Sequence, residues 1–277
     1  MNKTRAGMWR ALAISLALSG AAHAQEPPAS YETIAAEARM YADLPGPYPN
    51  TTRAIAVWRA PSAPAGPLPT LYMADGGRGL YVAAAHIRAE IEAGRMAPIQ
   101  IVGVFSDTDR RQAEYVREGA RQYDMHARWW IDVVIPWAEQ HFAASPQHRV
   151  IGGFSNGADF ALALASAHPE MFAGVLAHSP VATRRFDPPP DAAAIRWAVS
   201  AGRTEFAGDA ARGLEQVEHA AIRLGAPARL CLGGWGHNPE AWIDLSPGAI
   251  AWLFGAANHA EIATQRERDA CRVVNDR

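Results

Sequence analysis

The chain has 277 residues, of which 49% are hydrophobic and 19% are charged. That composition supports one large domain with a substantial core and is unlike the composition of disordered proteins. The formal net charge is only −2 at pH 7, so no basic surface of the kind that binds nucleic acid is expected. Beyond the N-terminus no apolar run reaches the roughly 18 residues of a membrane span, so no stable membrane association is expected.

The N-terminus has the charged, apolar, small-residue order of a secretory signal peptide. Three basic residues precede an apolar run at 11–18, and Ala22 and Ala24 supply the small residues of a cleavage site. We therefore predict that residues 1–24 are removed during export to the periplasm or the extracellular space. Residues 25–51 then form an N-terminal extension that is polar and proline-rich at both ends.

Beyond this extension, short apolar runs alternate with segments of helical periodicity. We predict strands at 52–58, 71–75, 98–105, 148–154, 172–177, 195–200 and 229–232. We predict helices around 33–41 and at 79–94, 122–142, 157–168, 209–224 and 247–257. This alternation is typical of an α/β fold with a mostly parallel central sheet and helices on both faces. Residues 52–258 are predicted to be a single domain, followed by a charged C-terminal tail at 259–277.

The two cysteines, Cys231 and Cys271, both lie beyond the predicted cleavage site. In an oxidising compartment they could form a disulfide that pins the C-terminal tail to the sheet, adding roughly 3–4 kcal/mol of stability. Cys231 could equally be a small buried apolar residue of a strand. The sequence leaves both interpretations open.

The segment Gly153-Phe154-Ser155-Asn156-Gly157 has the G-x-S-x-G pattern between a predicted strand and a predicted helix. This pattern is typical of a nucleophile elbow, in which the serine lies on a sharp strand-to-helix turn. The two glycines avoid clashes with neighbouring backbone. The first amides of the helix then point at the group that the serine attacks. Ser155 is therefore the predicted nucleophile.

A serine hydroxyl needs a base to take its proton, and in an elbow of this kind an acid and a histidine follow in that order. Four histidines lie beyond Ser155: His178, His219, His237 and His259. His178 comes too early to leave room for an acid, while His219 and His259 lie in a helix and in the tail. His237 follows a strand and a glycine-rich loop, so it is the predicted base.

The acid should lie at the end of the strand before that histidine. Glu205 follows the strand predicted at 195–200, and Asp209 lies one helical turn further on. We favour Glu205 and keep Asp209 as the alternative. For the oxyanion, Asn156 supplies one backbone amide by position, and Gly76 or Gly77, after the strand at 71–75, supplies the other.

Six segments form a recognisable series along the chain. They are Leu71–Gly76, the VGV at 102–104 with the RQAEY at 111–115, Gly153–Gly157, the HP at 168–169 with the FAGV at 172–175, the GRTE at 202–205, and Gly236-His237 with Trp242 five residues later. Together they resemble the esterase D / enterochelin-esterase family of α/β-hydrolases. The likeness spans roughly residues 52–255. The chain departs from the family pattern in two places, with Ala158 for a glycine after the elbow and Glu205 where many members have aspartate.

The resemblance implies an α/β-hydrolase fold and a serine esterase that works through an acyl-enzyme and a Ser-His-acid triad. No cofactor and no metal is expected, and the partner is a small-molecule ester such as a siderophore, feruloyl or small acyl ester. The alternatives are an acyltransferase with the same triad or a catalytically silent binding protein. Neither the individual ester nor the oligomeric state can be predicted.

Six charged or aromatic positions accompany this prediction. We interpret Arg111 and Glu114 as a pair that braces a loop. Trp235 and Trp242 flank His237 and could wall the substrate pocket, with core packing as the alternative, above all for Trp242. The arginines at 184–185 are interpreted as solvated loop residues.

Overall fold

Nine strands form one sheet in the computed structural model of the chain, which describes residues 28–116, 121–181 and 186–275. The spatial order is β1-β2-β4-β3-β5-β6-β7-β8-β9. All pairs from β4 to β8 are parallel, whereas β1, β2 and β9 pair antiparallel at the two edges. The strands are β1 (Arg39–Pro45), β2 (Thr52–Arg59), β3 (Leu68–Ala74), β4 (Gln100–Val104), β5 (Ala144–Phe154), β6 (Gly174–His178), β7 (Arg196–Gly202), β8 (Ala228–Gly233) and β9 (Cys271–Val274).

The helices cover both faces of this sheet. They are α1 (Tyr31–Glu37), α2 (Gly76–Glu92), α3 (Arg111–Tyr115), α4 (Arg121–Trp129), α5 (Ile135–Phe142), α6 (Asn156–Ala167), α7 (Asp209–Leu224), α8 (Pro239–Asp244), α9 (Pro247–Leu253), α10 (His259–Ile262) and α11 (Gln265–Ala270). A π-helical turn at Trp130–Val134 joins α4 to α5, so the helix predicted at 122–142 forms with this one irregularity.

The apolar core is divided by the sheet into two clusters. Successive residues of a strand face opposite sides. Tyr72 therefore belongs to the cluster that includes residues of α4, α5, α6 and α7, whereas Leu71 and Met73 belong to the cluster that includes residues of α2 and α9. The near-continuous burial of β3, β4, β6 and β7 follows from this double coverage. The predicted α/β-hydrolase fold with helices on both faces is confirmed. Within the described residues, no helix is both long and apolar enough to cross a membrane.

The structure differs from the prediction at both ends of the chain. The helix expected around 33–41 ends at Glu37, and β1 then adds an edge strand to the sheet from within the predicted extension. The predicted charged tail forms α10, α11 and β9 up to residue 274. The charged residues of this segment suggested a solvated tail, and Glu267 shows why that interpretation was wrong. Its buried carboxylate accepts hydrogen bonds from the amides of Gly248 and Ala249 at the start of α9, so this charge fastens α11 to the domain.

A disulfide joins Cys231 in β8 to Cys271 in β9 across the antiparallel pair. The structure thus favours the bridge over the free buried cysteine. Because 40 positions separate the two residues, the bridge should restrict the unfolded chain and contribute about 4 kcal/mol in the chain-entropy model.

We expect the double variant Cys231→Ala/Cys271→Ala to lose about that free energy of unfolding in urea. The native protein should lose a similar amount when a reductant is present, and the double variant should not respond to the reductant. Equal unfolding free energies for the oxidised and reduced native protein would show that the bridge adds no stability.

Candidate active site

Ser155 lies on the turn between β5 and α6 in a rare backbone conformation with positive φ, at φ 57° and ψ −133°. Such a conformation costs a non-glycine residue about 1–3 kcal/mol, and strain of this kind concentrates at functional sites. Glycine is required at position 153, since a Cβ there would lie 2.4 Å from the carbonyl oxygen of Gly157, and a Cβ at Gly157 would lie a tight 3.0 Å from the Cβ of Ala74. The amide of Ser155 donates to the carbonyl of His178 over 2.9 Å. The predicted strand, turn and helix of the elbow are therefore present.

Glu205 and His237 meet at the same edge of the sheet. Glu205 follows β7, His237 follows β8, and His237 Nδ1 lies 2.7 Å from Glu205 Oε2. A carboxylate can only accept, so Nδ1 carries the proton and Nε2 is left as the basic nitrogen. The other oxygen of Glu205 accepts from the amide of Gly202 over 2.6 Å. Asp209 is 56% exposed and pairs with Arg212 instead.

Aromatic rings enclose the imidazole of His237 on two sides. The ring of Phe206 lies 4.6 Å away and that of Trp242 lies 4.9 Å away, both edge-on. Trp242 also stacks on Phe154 at 4.5 Å, and Phe154 is the residue before Ser155. Trp242 therefore connects the histidine loop to the elbow.

Among the described residues, no hydrogen bond joins the Ser155 hydroxyl to His237. Such catalytic contacts are often long in an unliganded enzyme and shorten when substrate binds. The side chain of His237 remains 27% exposed, as a base that meets substrate requires. The structure thus brings the two residues to one edge of the sheet, with the acid already paired.

The other three candidate histidines lie elsewhere. His178 is buried between the hydroxyls of Ser200 and Ser246, and its burial lowers its pKa to about 3. It is therefore neutral and closed off from substrate. His219 lies within α7 and His259 begins α10.

The residues predicted for the oxyanion begin two helices. Asn156 is the first residue of α6, while Gly76 and Gly77 are the first two of α2. Their amides have no partner within the helix, because the first four N–H groups of a helix never do. A Cβ on Gly76 would lie 2.4 Å from the ring of Phe105. Gly76 is buried under that ring, whereas Gly77 is partly exposed.

Arg111 and Glu114 brace the neighbourhood of this loop, although with other partners than each other. Arg111 donates two hydrogen bonds to the carboxylate of Asp75, the left-handed residue that precedes α2. Glu114 is fully buried and accepts from Arg53 over 2.6 Å and from the amide of Asp107 over 3.2 Å. The two side chains therefore hold the turns that follow β3 and β4.

The two tryptophans flanking His237 differ in position. Trp242 is buried against His237, as described above. The indole of Trp235 packs over Gly233, and the guanidinium of Arg266 lies 6.0 Å from its ring. These contacts place the indole of Trp235 between the end of β8 and α11, and its part in the substrate pocket stays a prediction. The two arginines at 184–185 lie outside the described residues.

Two further residues at this edge were not predicted from the sequence. Phe206 is 46% exposed and left-handed at φ 49°, and it contacts His237. Ser179 is fully buried, is left-handed at φ 52° and contacts Glu205. Phenylalanine and serine both disfavour positive φ, so the sequence did not indicate that these two residues would adopt it. Nothing else in the sequence pointed to Phe206. The position of Ser179 directly after β6 was the only available signal.

Residues 48–253 match the model of the protein family described as "Putative esterase". The chain belongs to this esterase family. It is accordingly a carboxylic-ester hydrolase. Among the described residues of this esterase, no group of three or more His, Cys, Asp or Glu side chains could hold a metal ion.

Solved structures with the same fold include several esterases. A ferulic acid esterase is 16% identical, with a TM-score of 0.60 over 78% of this chain and 98% of its own. The enterobactin esterase FES from Shigella flexneri is 14% identical, with a TM-score of 0.62 over 82% of this chain and 61% of its own. The siderophore hydrolase EstA from Aspergillus nidulans is 16% identical, with a TM-score of 0.56 over 80% and 95%. No curated protein sequence matches the chain.

Proposed function

We propose that the protein is an exported serine esterase in which Ser155, His237 and Glu205 form the catalytic triad. The observation that carries this proposal is the 2.7 Å contact between His237 Nδ1 and Glu205 Oε2. It places an oriented imidazole at the edge of the sheet where the strained Ser155 turn also lies. Asp209, the alternative acid, is turned to solvent and paired with Arg212.

The reaction follows from this arrangement. His237 Nε2 takes the proton of Ser155 as its oxygen attacks the ester carbonyl, and Glu205 stabilises the imidazolium that forms. The amides of Asn156 and Gly77 stabilise the oxyanion, and we favour Gly77 over Gly76 because Phe105 covers Gly76. His237 then protonates the leaving alcohol. Water, activated by the same histidine, releases the acid from the acyl-enzyme.

Three classes of ester come into consideration as substrates: siderophore esters, feruloyl esters and small acyl esters. Structures named for the first two classes share the fold. The aromatic rings of Phe206 and Trp242 contact the imidazole of His237 and make its surroundings apolar. Hydrolysis is favoured over acyl transfer because the chain belongs to an esterase family and structures named as esterases and hydrolases share its fold. A silent binding role is disfavoured because the acid and the base are already paired for proton transfer.

Export is proposed from the signal-peptide pattern at residues 1–24, which lies outside the described residues. The disulfide between Cys231 and Cys271 supports it, because such bonds persist in oxidising compartments and are rare in the cytosol. Fractionation of cells that produce the full chain should find a protein beginning at Gln25 outside the cytoplasm. A full-length cytoplasmic protein would contradict export.

The chemistry is tested with purified residues 25–277 and a panel of p-nitrophenyl butyrate, a feruloyl ester and a catecholate siderophore ester. We expect the acid product from at least one ester, with unchanged product when a primary alcohol is added as acceptor. An added alcohol that is converted to a new ester in preference to hydrolysis would identify an acyltransferase. Binding of an ester without turnover would identify the silent protein.

A further inference from the structure

Ser179 occupies a position that its residue type does not favour. It follows β6 directly, has φ 52°, and is fully buried. Its amide donates to the carbonyl of Ser200 at 2.7 Å, which holds the turn against β7. A left-handed non-glycine residue with no solvent contact is kept only where the surrounding structure over-determines it.

The hydroxyl of Ser179 lies between one group that can only donate a hydrogen bond and one that can only accept. Trp242 Nε1 is 2.9 Å away and Glu205 Oε1 is 3.0 Å away. An indole N–H can only donate, so the serine oxygen accepts from Trp242. Its single proton is then free for the carboxylate, which can only accept. The chain of donors runs from Trp242 through Ser179 to Glu205.

These bonds close a ring of contacts around the acid and the base. Glu205 Oε1 accepts from Ser179 and from the amide of Gly202, which leaves Oε2 for His237 Nδ1. The imidazole of His237 in turn lies against the indole of Trp242. A rotation of the carboxylate would break bonds on both of its oxygens at once.

We propose that Ser179 is a positioning residue for catalysis, which aligns Glu205 so that its other oxygen holds the imidazole of His237. This proposal rests on the proposed function, since it assigns a role to Ser179 through the acid of the triad. Ser179 itself does not touch the reacting atoms. Its effect on turnover therefore passes through Glu205.

A double-mutant cycle with Glu205 tests this role. A hydrogen bond to a charged group is strong enough that Ser179→Ala should lower kcat by about 10- to 100-fold, with KM changed less than about twofold. In a Glu205→Ala background the same substitution should change kcat less than about twofold, because the group it aligns is gone. A serine that only filled space would lower kcat by the same factor in both backgrounds.

Ser145→Ala is the matched control for the loss of a buried serine hydroxyl. Ser145 lies at the opposite end of β5 from Ser155 and donates to Gln147, so its loss should leave kcat unchanged. Thermal unfolding of each variant confirms that it is folded at the assay temperature. If Ser179→Ala lowered kcat by the same factor in both backgrounds, or had no effect in the native protein, the role of Ser179 would be overturned while the triad would stand. An unchanged kcat for Glu205→Ala would overturn the triad and this proposal with it.

Discussion

Replacing Ser155 by alanine should lower kcat for p-nitrophenyl butyrate by about 10⁴-fold or more, because no other group at the elbow can form the acyl-enzyme. The substitution removes one oxygen from a partly buried turn, whose backbone is held by the hydrogen bond from the Ser155 amide to the carbonyl of His178. KM should change little, and the unfolding temperature should be preserved. Steady-state kinetics against the native protein measures the effect.

Ser166→Ala is a suitable control for this variant. Ser166 lies on the same helix, α6, and its hydroxyl donates to the carbonyl of Leu162. Its loss should leave kcat within about twofold of native. A Ser155→Ala protein that retained native turnover would remove Ser155 from the mechanism.

Glu205→Gln should lower kcat by about 10³- to 10⁴-fold, since an amide in place of the acid favours the wrong tautomer of the histidine. The carboxylate is 4% exposed and is bonded to His237, to Ser179 and to the amide of Gly202. The amide variant fills the same volume, so the fold should persist. The kcat of the purified variant gives the result.

The matched variant is Asp209→Asn, which changes the alternative acid. Asp209 is 56% exposed, and its partner is Arg212 in the same helix. We expect native kcat from this variant within about twofold. A large loss in Asp209→Asn together with native activity in Glu205→Gln would reverse the assignment of the acid.

The elbow and the position of His237 could be predicted from the sequence, because the order of strands along the chain determines which loops lie at the same edge of a parallel sheet. In a parallel sheet the ends of β5, β7 and β8 lie at one edge. Residues that directly follow those strands are therefore brought together without knowledge of any packing. Ser155, Glu205 and His237 are of this kind. The glycines at the elbow and the disulfide partners were equally visible as residue types.

Other parts depended on contacts that a sequence does not display. Glu205 and Asp209 are both carboxylates near the end of β7, and only burial separates them. Ser179 contacts Glu205 from a backbone position with positive φ, which has no signal in its residue type. The C-terminal segment looked like a solvated tail because Glu267 is charged, yet its charge is buried on the amides that begin α9.

We propose Ser155 as the nucleophile that His237 activates, and covalent trapping tests this assignment directly. A fluorophosphonate esterifies an activated serine, with loss of fluoride and retention of the phosphonyl group on the oxygen. Intact mass and peptide mapping of the labelled protein should show one adduct, on Ser155. Labelling of His237→Ala should be slower by several orders of magnitude. An adduct on another serine, or equal labelling rates in the two proteins, would contradict the account.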